Sequence, residues 1–128
     1  SQVGGAGGSG IVIVSVSQAE TTSSSMTIIS DTFTANATPS TARIVVFAEL
    51  NDDINSEISA SVTRDNTTFN SVTLTDEGYS AGSSGIKIFS GSTSLTGSAS
   101  PQVRLRWKIV GASLEGQNKI HGVSLQWK

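Results

Sequence analysis

Residues 103–110 read Val-Arg-Leu-Arg-Trp-Lys-Ile-Val, the sharpest alternation of apolar and charged side chains in the chain. Successive side chains of a β-strand point to opposite faces of its sheet, so this period of two predicts a strand with one buried face. Trp107 shares its face with Leu105 and Ile109, and we therefore expect its indole ring to lie in the core.

Short apolar or alternating segments of the same kind recur along the whole chain. Residues 57–64 also alternate cleanly, with Ile58, Ala60 and Val62 on one face. Six more segments read as strands: residues 11–16, 26–33, 43–50, 69–75, 86–90 and 119–127. No connection between them is long enough for a crossover helix, which favours antiparallel pairing. The pattern predicts an all-β chain of about eight strands, folded as a single antiparallel, jelly-roll-like β-sandwich.

The composition agrees with a β fold and excludes several classes of site. Ser and Thr supply 23 and 14 of the 128 residues, and both are poor formers of helix interiors. The absence of Cys excludes disulfides, thiolate metal sites and Cys catalysis. The single histidine, His121, excludes a metal site built from several histidines of one chain, and we expect it to be structural. We expect neither a metal nor a cofactor.

Charge and hydropathy limit the partners of the chain. The net charge is −2, whereas sequence-independent nucleic-acid binding needs a strong excess of Lys and Arg. The longest apolar run, residues 11–14, is far shorter than a membrane span. We therefore expect no nucleic-acid partner and no membrane insertion.

Residues 1–10 hold five of the thirteen glycines and cannot bury a core. Such a segment is typical of a flexible linker; an extended arm, or packing against other copies of the chain, is the alternative. The sequence thus divides into a glycine-rich linker or arm, residues 1–10, and a β-sandwich domain, residues 11–128. Because the chain begins at Ser1, we expect a processed product or a piece of a longer protein.

A stripe of positive charge runs along the predicted strand 103–110. Arg104, Arg106 and Lys108 alternate with the apolar residues and share the opposite face. This basic stripe is a candidate site for an anionic polysaccharide or a lipopolysaccharide phosphate, since Arg offers a bidentate fork. The alternative is a solvated face, or cross-strand pairing with acidic residues, namely Glu49, Glu57 or Glu115.

Two further aromatic residues, Tyr79 and Trp127, are candidates for contact with a ligand or a second copy. Tyr79, the only tyrosine, falls in a predicted Gly/Ser loop, residues 78–85. An amphipathic ring on such a loop is a common recognition device, so Tyr79 is our first candidate for ligand contact. Trp127 shares its parity with Val123 and Leu125, which favours the core, but it lies one residue from the terminus, where an oligomer interface is the alternative.

The acidic pairs are interpreted as turn residues. Asp52-Asp53 and Asp76-Glu77 both stand next to predicted turns, and neither has the spaced Asp/Asn pattern of an EF-hand. We also find no paired acids, and no nucleophile with its base, that indicate a hydrolase.

Three stretches resemble C-terminal domains of bacteriophage tail-fibre proteins. Residues 62–79, Val-Thr-Arg-Asp-Asn-Thr-Thr-Phe-Asn-Ser-Val-Thr-Leu-Thr-Asp-Glu-Gly-Tyr, are similar to a strand, turn and loop of those domains. The first part resembles an Asp-box hairpin, in which Asp side chains bond their own turn. This chain has Asn66 where glycines are expected and is one residue shorter, so we expect a rebuilt turn. Residues 106–109 with 119–127 resemble the last two strands, and residues 4–14 the glycine-rich segment that precedes such domains.

The resemblance implies a distal fibre domain: a non-enzymatic, homotrimeric virion module that faces the host outside the cell and binds a surface polysaccharide or protein. The alternative is a structural subunit that polymerises or decorates a capsid. In that case the apolar strand behind the glycine-rich segment is lent to a neighbouring copy. The candidate residues for strand exchange or oligomer contact are Ile11, Val12, Ile13, Val14 and Trp127.

Overall fold

The computed structural model describes residues 2–3, 10–21, 25–82, 85–98, 103–112 and 114–128, and most of these residues lie in β-strands. The strands are β1 Gln2–Val3, β2 Gly10–Thr21, β3 Ser25–Ile29, β4 Phe33–Ala35, β5 Thr41–Glu49, β6 Ile58–Thr63, β7 Phe69–Val72, β8 Thr75–Tyr79, β9 Lys87–Ser94, β10 Val103–Ala112 and β11 Asn118–Trp127. Among the described residues there is no helix, and hence none with the length and apolarity to cross a membrane.

The strands form two sheets in which every strand pair is antiparallel. One sheet has the order β1-β2-β11-β5-β9-β8. The other has the order β3-β10-β6-β7, and β4 pairs with β10 beside it. This confirms the prediction of an all-β antiparallel fold and is consistent with a β-sandwich.

One hydrophobic core takes its side chains from both sheets. β6 buries every second residue, Ile58, Ala60 and Val62, as its alternation predicts. Trp107 on β10 is 1% exposed, which confirms its expected place in the core. Trp127 on β11 is 3% exposed and belongs to the same core.

The predicted strand 26–33 is in fact two strands, β3 and β4, separated by a break that Ser30 makes. The Ser30 hydroxyl accepts a hydrogen bond from the Trp107 backbone N–H at 3.0 Å, while the Ser30 N–H donates to the Trp107 carbonyl at 3.0 Å. A side-chain oxygen therefore takes a ladder position that a backbone carbonyl otherwise fills. Hydroxyl competition of this kind does not appear in a hydrophobic pattern.

The predicted strand 69–75 corresponds to β7, which is shorter and ends at Val72. A separate strand, β8, begins at Thr75, the last residue of the predicted strand. The chain crosses β9 before β8 pairs with that strand. The crossing requires Gly91, since a Cβ there would lie 2.2 Å from the Thr73 carbonyl oxygen. Consequently Tyr79, expected in a loop, ends a strand at the edge of the sheet.

The first long strand, β2, lies between β1 and β11 and includes the predicted strand 11–16. Within the predicted glycine-rich linker or arm, Gln2 and Val3 pair with Ile13 and Val12. Residues 1 and 4–9 of that segment lie outside the described residues.

Candidate functional site

Tyr79 presents its ring to solvent from the end of β8, with 61% of the residue exposed. Lys87, paired with it on β9, places its Nζ 5.2 Å from the ring centroid. The same ammonium donates to Asp76 Oδ2 at 2.9 Å. This hydrogen bond is the main reason why the pKa of Asp76 is lowered and that of Lys87 is raised. Lys87 thus holds one face of the ring, and the ring remains largely open to solvent.

Tyr79 stands beside a groove of about 440 Å³, which we call the Tyr79 groove. Leu50, Ile54 and Phe89 supply its apolar lining. The polar lining is mostly acidic: Glu49, Asn51, Asp52, Asp53, Asp76 and Lys87. Four carboxylates against one ammonium give this groove a formal charge of −3. Its field therefore repels anions and attracts cations.

Asp53 is the carboxylate in the Tyr79 groove that is free to accept hydrogen bonds from a ligand. Its backbone is fully used, since its N–H donates to Glu57 Oε1 at 3.0 Å and its carbonyl accepts from Glu57 and Ile58. Its side chain is exposed and has no hydrogen bond with any other described residue. The turn is therefore fixed while its carboxylate stays available.

His121 does not line the Tyr79 groove but contacts Glu49, which does. Its Nε2 lies 3.0 Å from Glu49 Oε1. The β11 register shifts between Ile120 and Gly122, which places His121 at a bulge. The His side chain is 23% exposed. A bulge re-aims the side chain of its strand, and here it directs the imidazole to the end of β5.

The loop that closes the Tyr79 groove is held by Asp52 and the fully buried Asn118. Asp52 accepts hydrogen bonds from the Glu115 and Gly116 N–H groups at 2.9 and 3.1 Å, and from Asn118 Nδ2 at 2.8 Å. These bonds, that from Asn118 above all, lower the pKa of Asp52. Asn118 Oδ1 in turn accepts from the Asn51 N–H at 2.8 Å. This network, the Asp52–Asn118 anchor, joins two loops distant in sequence.

The basic stripe lies on the outer face of β10, and its three cations differ in their contacts. Lys108 Nζ lies 4.0 Å from the centroid of the Phe69 ring. Arg106 Nε donates to the Ser30 carbonyl at 2.9 Å, and its Nη1 donates to Asn66 Oδ1 at 3.0 Å. Arg104 is exposed, and its side chain has no hydrogen bond or ion pair with other described residues.

Of the two alternatives to a ligand site, a solvated face stays a prediction, whereas pairing of the stripe with Glu49, Glu57 or Glu115 is wrong. Neither of the two ion pairs among the described residues includes a stripe residue. Glu49 pairs with His121, and Glu57 accepts from a backbone N–H in its own turn. The stripe binds a carbonyl, an amide and an aromatic ring instead.

Arg104 borders a second groove of about 510 Å³, the Arg104 groove, which is lined by residues 64–68, Gly97, Ser98 and Arg104. Arg64 fixes its base, since its Nη1 and Nη2 donate to the Pro39 and Gly97 carbonyls, each at 2.8 Å. Thus the Arg64 guanidinium joins two loops, while the Arg104 guanidinium has no hydrogen bond to another described residue.

Asp65 anchors the turn beside Arg104. Its Oδ1 accepts from the Thr67 and Thr68 N–H groups at 2.9 and 2.7 Å, and its Oδ2 accepts from the Ser98 N–H at 3.1 Å. The bonds from Thr68 and Thr67 are the largest causes that hold the pKa of Asp65 far below its ordinary value. Asn66 adopts a φ of 64°, in the left-handed region that glycine usually fills. With Asn66 in place of the expected glycine, the Asp65 side chain still accepts hydrogen bonds from the backbone of its own turn.

The two grooves lie at opposite ends of β5. Glu49, at the end of this strand, lines the Tyr79 groove. The Pro39 carbonyl, just before Thr41 at its start, binds Arg64 beside the Arg104 groove. A strand rises about 3.3 Å per residue, so the two ends of β5 lie roughly 26 Å apart. The structure therefore does not bring Tyr79 and Arg104 together into one site.

The residues expected in strand exchange are paired within this chain. Ile11, Val12, Ile13 and Val14 on β2 pair with residues 123–126 of β11. Trp127 pairs with Gly10 on one side and with Ala42 on the other. Trp127 is buried in the core, so contact of its side chain with a partner copy requires the core to open.

The acidic residues and two contacts between side chains remain to be set against the sequence-based expectations. Within the described ranges, no group of three or more His, Asp and Glu side chains is arranged to hold a metal ion. Asp76 accepts from the Gly78 N–H two residues along the chain, as expected for a turn residue, whereas Asp52 accepts from Glu115 and Gly116 in a loop distant in sequence. Sequence reasoning missed the contact of Lys87 with the Tyr79 ring, which joins two strands, and that of Asn66 with Arg106, which joins a turn to a strand.

No family model, curated protein or solved structure matches the chain.

Proposed function

We propose that this chain is a non-enzymatic attachment domain of a bacteriophage virion fibre, which binds a host-surface polysaccharide in the Tyr79 groove. The observation that carries the proposal is the solvent-exposed ring of Tyr79, held on one face by Lys87, beside a groove of polar acceptors. The resemblance of residues 62–79 and 119–127 to tail-fibre domains supplies the biological setting, at the surface of a virion outside the cell.

The geometry of Tyr79 suits a sugar ring. The face of an aromatic ring carries negative partial charge, which attracts the C–H groups on one side of a sugar, and its apolar body gains from burial. Lys87 already positions the ring, so little side-chain entropy is lost when the ligand stacks on it. The exposed Asp53 carboxylate provides hydrogen-bond acceptors for sugar hydroxyls.

The charge of the groove narrows the class of polysaccharide. At a formal charge of −3, the Tyr79 groove favours neutral or amino-bearing sugars and disfavours uronic acids and phosphorylated units. The lowered pKa values of Asp52 and Asp76 keep both carboxyls ionised at neutral pH. A glycoside hydrolase needs a carboxyl that stays protonated to donate to the leaving group, so these two groups support binding rather than cleavage.

The strand order supports the finer fold assignment. Leaving out the short strands β1, β4 and β8, the eight remaining strands pair in chain order as 1-8-3-6 in one sheet and 2-7-4-5 in the other. A long antiparallel hairpin that is rolled up gives this order, with pairs 1-8, 2-7, 3-6 and 4-5. Such a roll is the jelly roll, which occurs in viral capsid and lectin domains. The fold permits the proposed function without determining it.

The test is binding of the purified domain to a panel of neutral, amino-bearing and acidic bacterial polysaccharides. We expect Tyr79→Ala to lower the affinity for the best neutral or amino-bearing ligand at least tenfold, as for an interface hot spot. Tyr79→Phe is the matched control, which keeps the ring and retains affinity within about threefold. Both variants should keep the wild-type melting temperature because the ring is exposed.

Two results would overturn this proposal. One is equal binding by Tyr79→Ala and the wild type. The other is shortening of a polysaccharide during incubation, which indicates an enzyme.

Self-association is tested separately by light scattering of the full chain and of a variant that lacks residues 1–9. A trimer in both cases supports the fibre assignment. Open-ended assemblies that disappear with the deletion support the alternative, a structural subunit that exchanges strands. The deletion stops before β2, because β2 supplies a whole neighbour of β11 and its loss would disturb the sheet itself.

A further inference from the structure

We infer that the Arg104 groove is a second ligand site, independent of the Tyr79 groove, which binds a phosphate ester on a surface polysaccharide. The site consists of two neighbouring guanidinium groups and a rim of neutral hydrogen-bond donors.

Arg104 supplies a free guanidinium at the mouth of this groove. Its backbone N–H donates to the Arg64 carbonyl at 3.2 Å, which fixes the start of β10. Its side chain is exposed and makes no hydrogen bond or ion pair among the described residues. A guanidinium has five donors in a planar fork and matches the oxygens of a phosphate in a bidentate way.

Arg106 adds a second guanidinium that is already oriented. The Ser30 carbonyl accepts from its Nε and the Asn66 side-chain oxygen accepts from its Nη1. Its Nη2 makes no such bond with described residues and remains a donor. Arg106 does not itself line the groove, but it shares the outer face of β10 with Arg104, and its partner Asn66 lines the groove. Two fixed contacts lower the entropy that Arg106 loses on binding.

The rim of the groove presents neutral donors. Asn66 uses its oxygen for Arg106, and its amide N–H₂ is left without an acceptor among the described residues. The side chains of Thr67, Thr68 and Ser98 are exposed and line the same groove. Hydroxyl and amide N–H groups add hydrogen bonds to phosphate oxygens without adding charge.

Asp65 is the one carboxylate in the lining, and backbone N–H groups offset part of its negative charge. Its two oxygens accept from three backbone N–H groups, and Oδ1 also accepts from the Thr63 hydroxyl at 3.0 Å. The negative charge is therefore bound within the turn. With Arg64, Arg104 and Arg106 against Asp65, the site has a formal charge of +2.

The positive charge of the Arg104 groove is local, since the groove at the opposite end of the molecule and the chain as a whole are negative. The Tyr79 groove has a formal charge of −3, and the whole chain has −2. A polyanion therefore gains nothing from the average charge of the domain, and only a local arrangement of donors favours it. Phosphate binding thus depends on Arg104 and Arg106 and not on the net charge.

The experiment is isothermal titration calorimetry of the full chain with mannopentaose phosphate and with mannopentaose. We expect the phosphorylated oligosaccharide to bind at least tenfold more tightly. Arg104→Ala should remove at least tenfold of that affinity, and Asn66→Gly about threefold, since glycine keeps the positive φ and deletes the amide that orients Arg106. Melting temperatures of these variants check that the fold is intact.

Lys108→Ala is the matched control. It removes one positive charge from the same face of β10, like Arg104→Ala, but from a residue that contacts the Phe69 ring, which does not line the groove. We expect it to retain affinity within about twofold. Equal losses in the two variants would mean a diffuse field and would overturn the proposed site, as would equal binding of the two oligosaccharides.

This outcome is separate from that of the Tyr79 groove. Tyr79→Ala should leave the affinity for mannopentaose phosphate unchanged, because the two grooves lie at opposite ends of β5. A loss in Tyr79→Ala comparable to that in Arg104→Ala would place the phosphate in the Tyr79 groove and contradict a second site.

Discussion

The two ends of the molecule use the same device to hold their loops but leave different groups free. At each end an aspartate, Asp52 or Asp65, accepts N–H groups from a loop that is distant in sequence. At one end a tyrosine ring and the Asp53 carboxylate remain available, and at the other a guanidinium, that of Arg104, remains available. The anchors therefore determine loop shape, and the unpaired groups determine the class of ligand.

The largest effect is expected from the core that both ends share. Trp107→Ala removes an indole that is 1% exposed, and we expect it to lower the free energy of unfolding by roughly 3–5 kcal/mol. Because the core supports both ends, ligand affinities at the two grooves should decline together in partly unfolded protein. Denaturant unfolding measures the loss, and a melting temperature equal to that of the wild type would contradict the core position of Trp107.

The next largest loss of stability is expected from the side-chain amide of Asn118, and it should affect ligand binding only at the Tyr79 groove. Asn118→Ala leaves the Asn51 N–H and one Asp52 oxygen without their buried partner, which we expect to cost about 1–3 kcal/mol. Binding of neutral polysaccharide in the Tyr79 groove should weaken, while binding of mannopentaose phosphate stays unchanged. Loss at both grooves in protein that is still folded would show that the two ends are coupled.

Sequence patterns predicted which residues are buried and which are exposed on the clearly alternating strands. Alternation identified β6 and β10, and it placed Trp107 inside and Arg104, Arg106 and Lys108 outside. A period of two reports which face a residue occupies, and it contains no information about which distant residue lies beside it.

The errors in the predictions have the same origin. β8 reads Thr-Asp-Glu-Gly-Tyr, a polar edge strand with no apolar alternation, so Tyr79 was expected in a loop. The expected pairing of the basic stripe with Glu49 failed because that carboxylate lies at the other end of β5. Strand order decides both outcomes, and strand order depends on contacts distant in sequence.

Low pH should lower the stability that the Asp65 carboxylate gives to the turn beside the Arg104 groove. The pKa of this carboxyl lies far below 3.8, its ordinary value, because the Thr68 and Thr67 N–H groups bind the ionised form. The unfolded chain takes up the proton at the ordinary pKa, so this stabilisation is complete at neutral pH and declines as the pH falls below about 5. The hydrogen bonds are partly exposed, and we expect Asp65→Asn to cost roughly 1–2 kcal/mol at pH 7.

The melting temperatures of the wild type and Asp65→Asn, measured between pH 7 and pH 2, check this expectation. The difference between the two proteins should shrink as the pH falls, since the wild-type carboxyl loses its charge in the unfolded state first. A difference that stays constant down to pH 2 would mean that the carboxylate charge contributes nothing to the anchor.

The smallest effect should come from salt, and it distinguishes the two ends most directly. At an ionic strength of 1 M the screening length is about 3 Å, compared with about 10 Å at 0.1 M, so contacts between a phosphate and the exposed Arg104 weaken. Stacking on Tyr79 is mainly apolar and should change little. We therefore expect added salt to reduce the affinity for mannopentaose phosphate several-fold while the affinity for a neutral polysaccharide stays within about twofold. An equal loss of affinity with salt at both grooves would mean that the two grooves do not differ in how they recognise ligands. A loss for the phosphate ligand alone assigns charge recognition to Arg104 and apolar recognition to Tyr79.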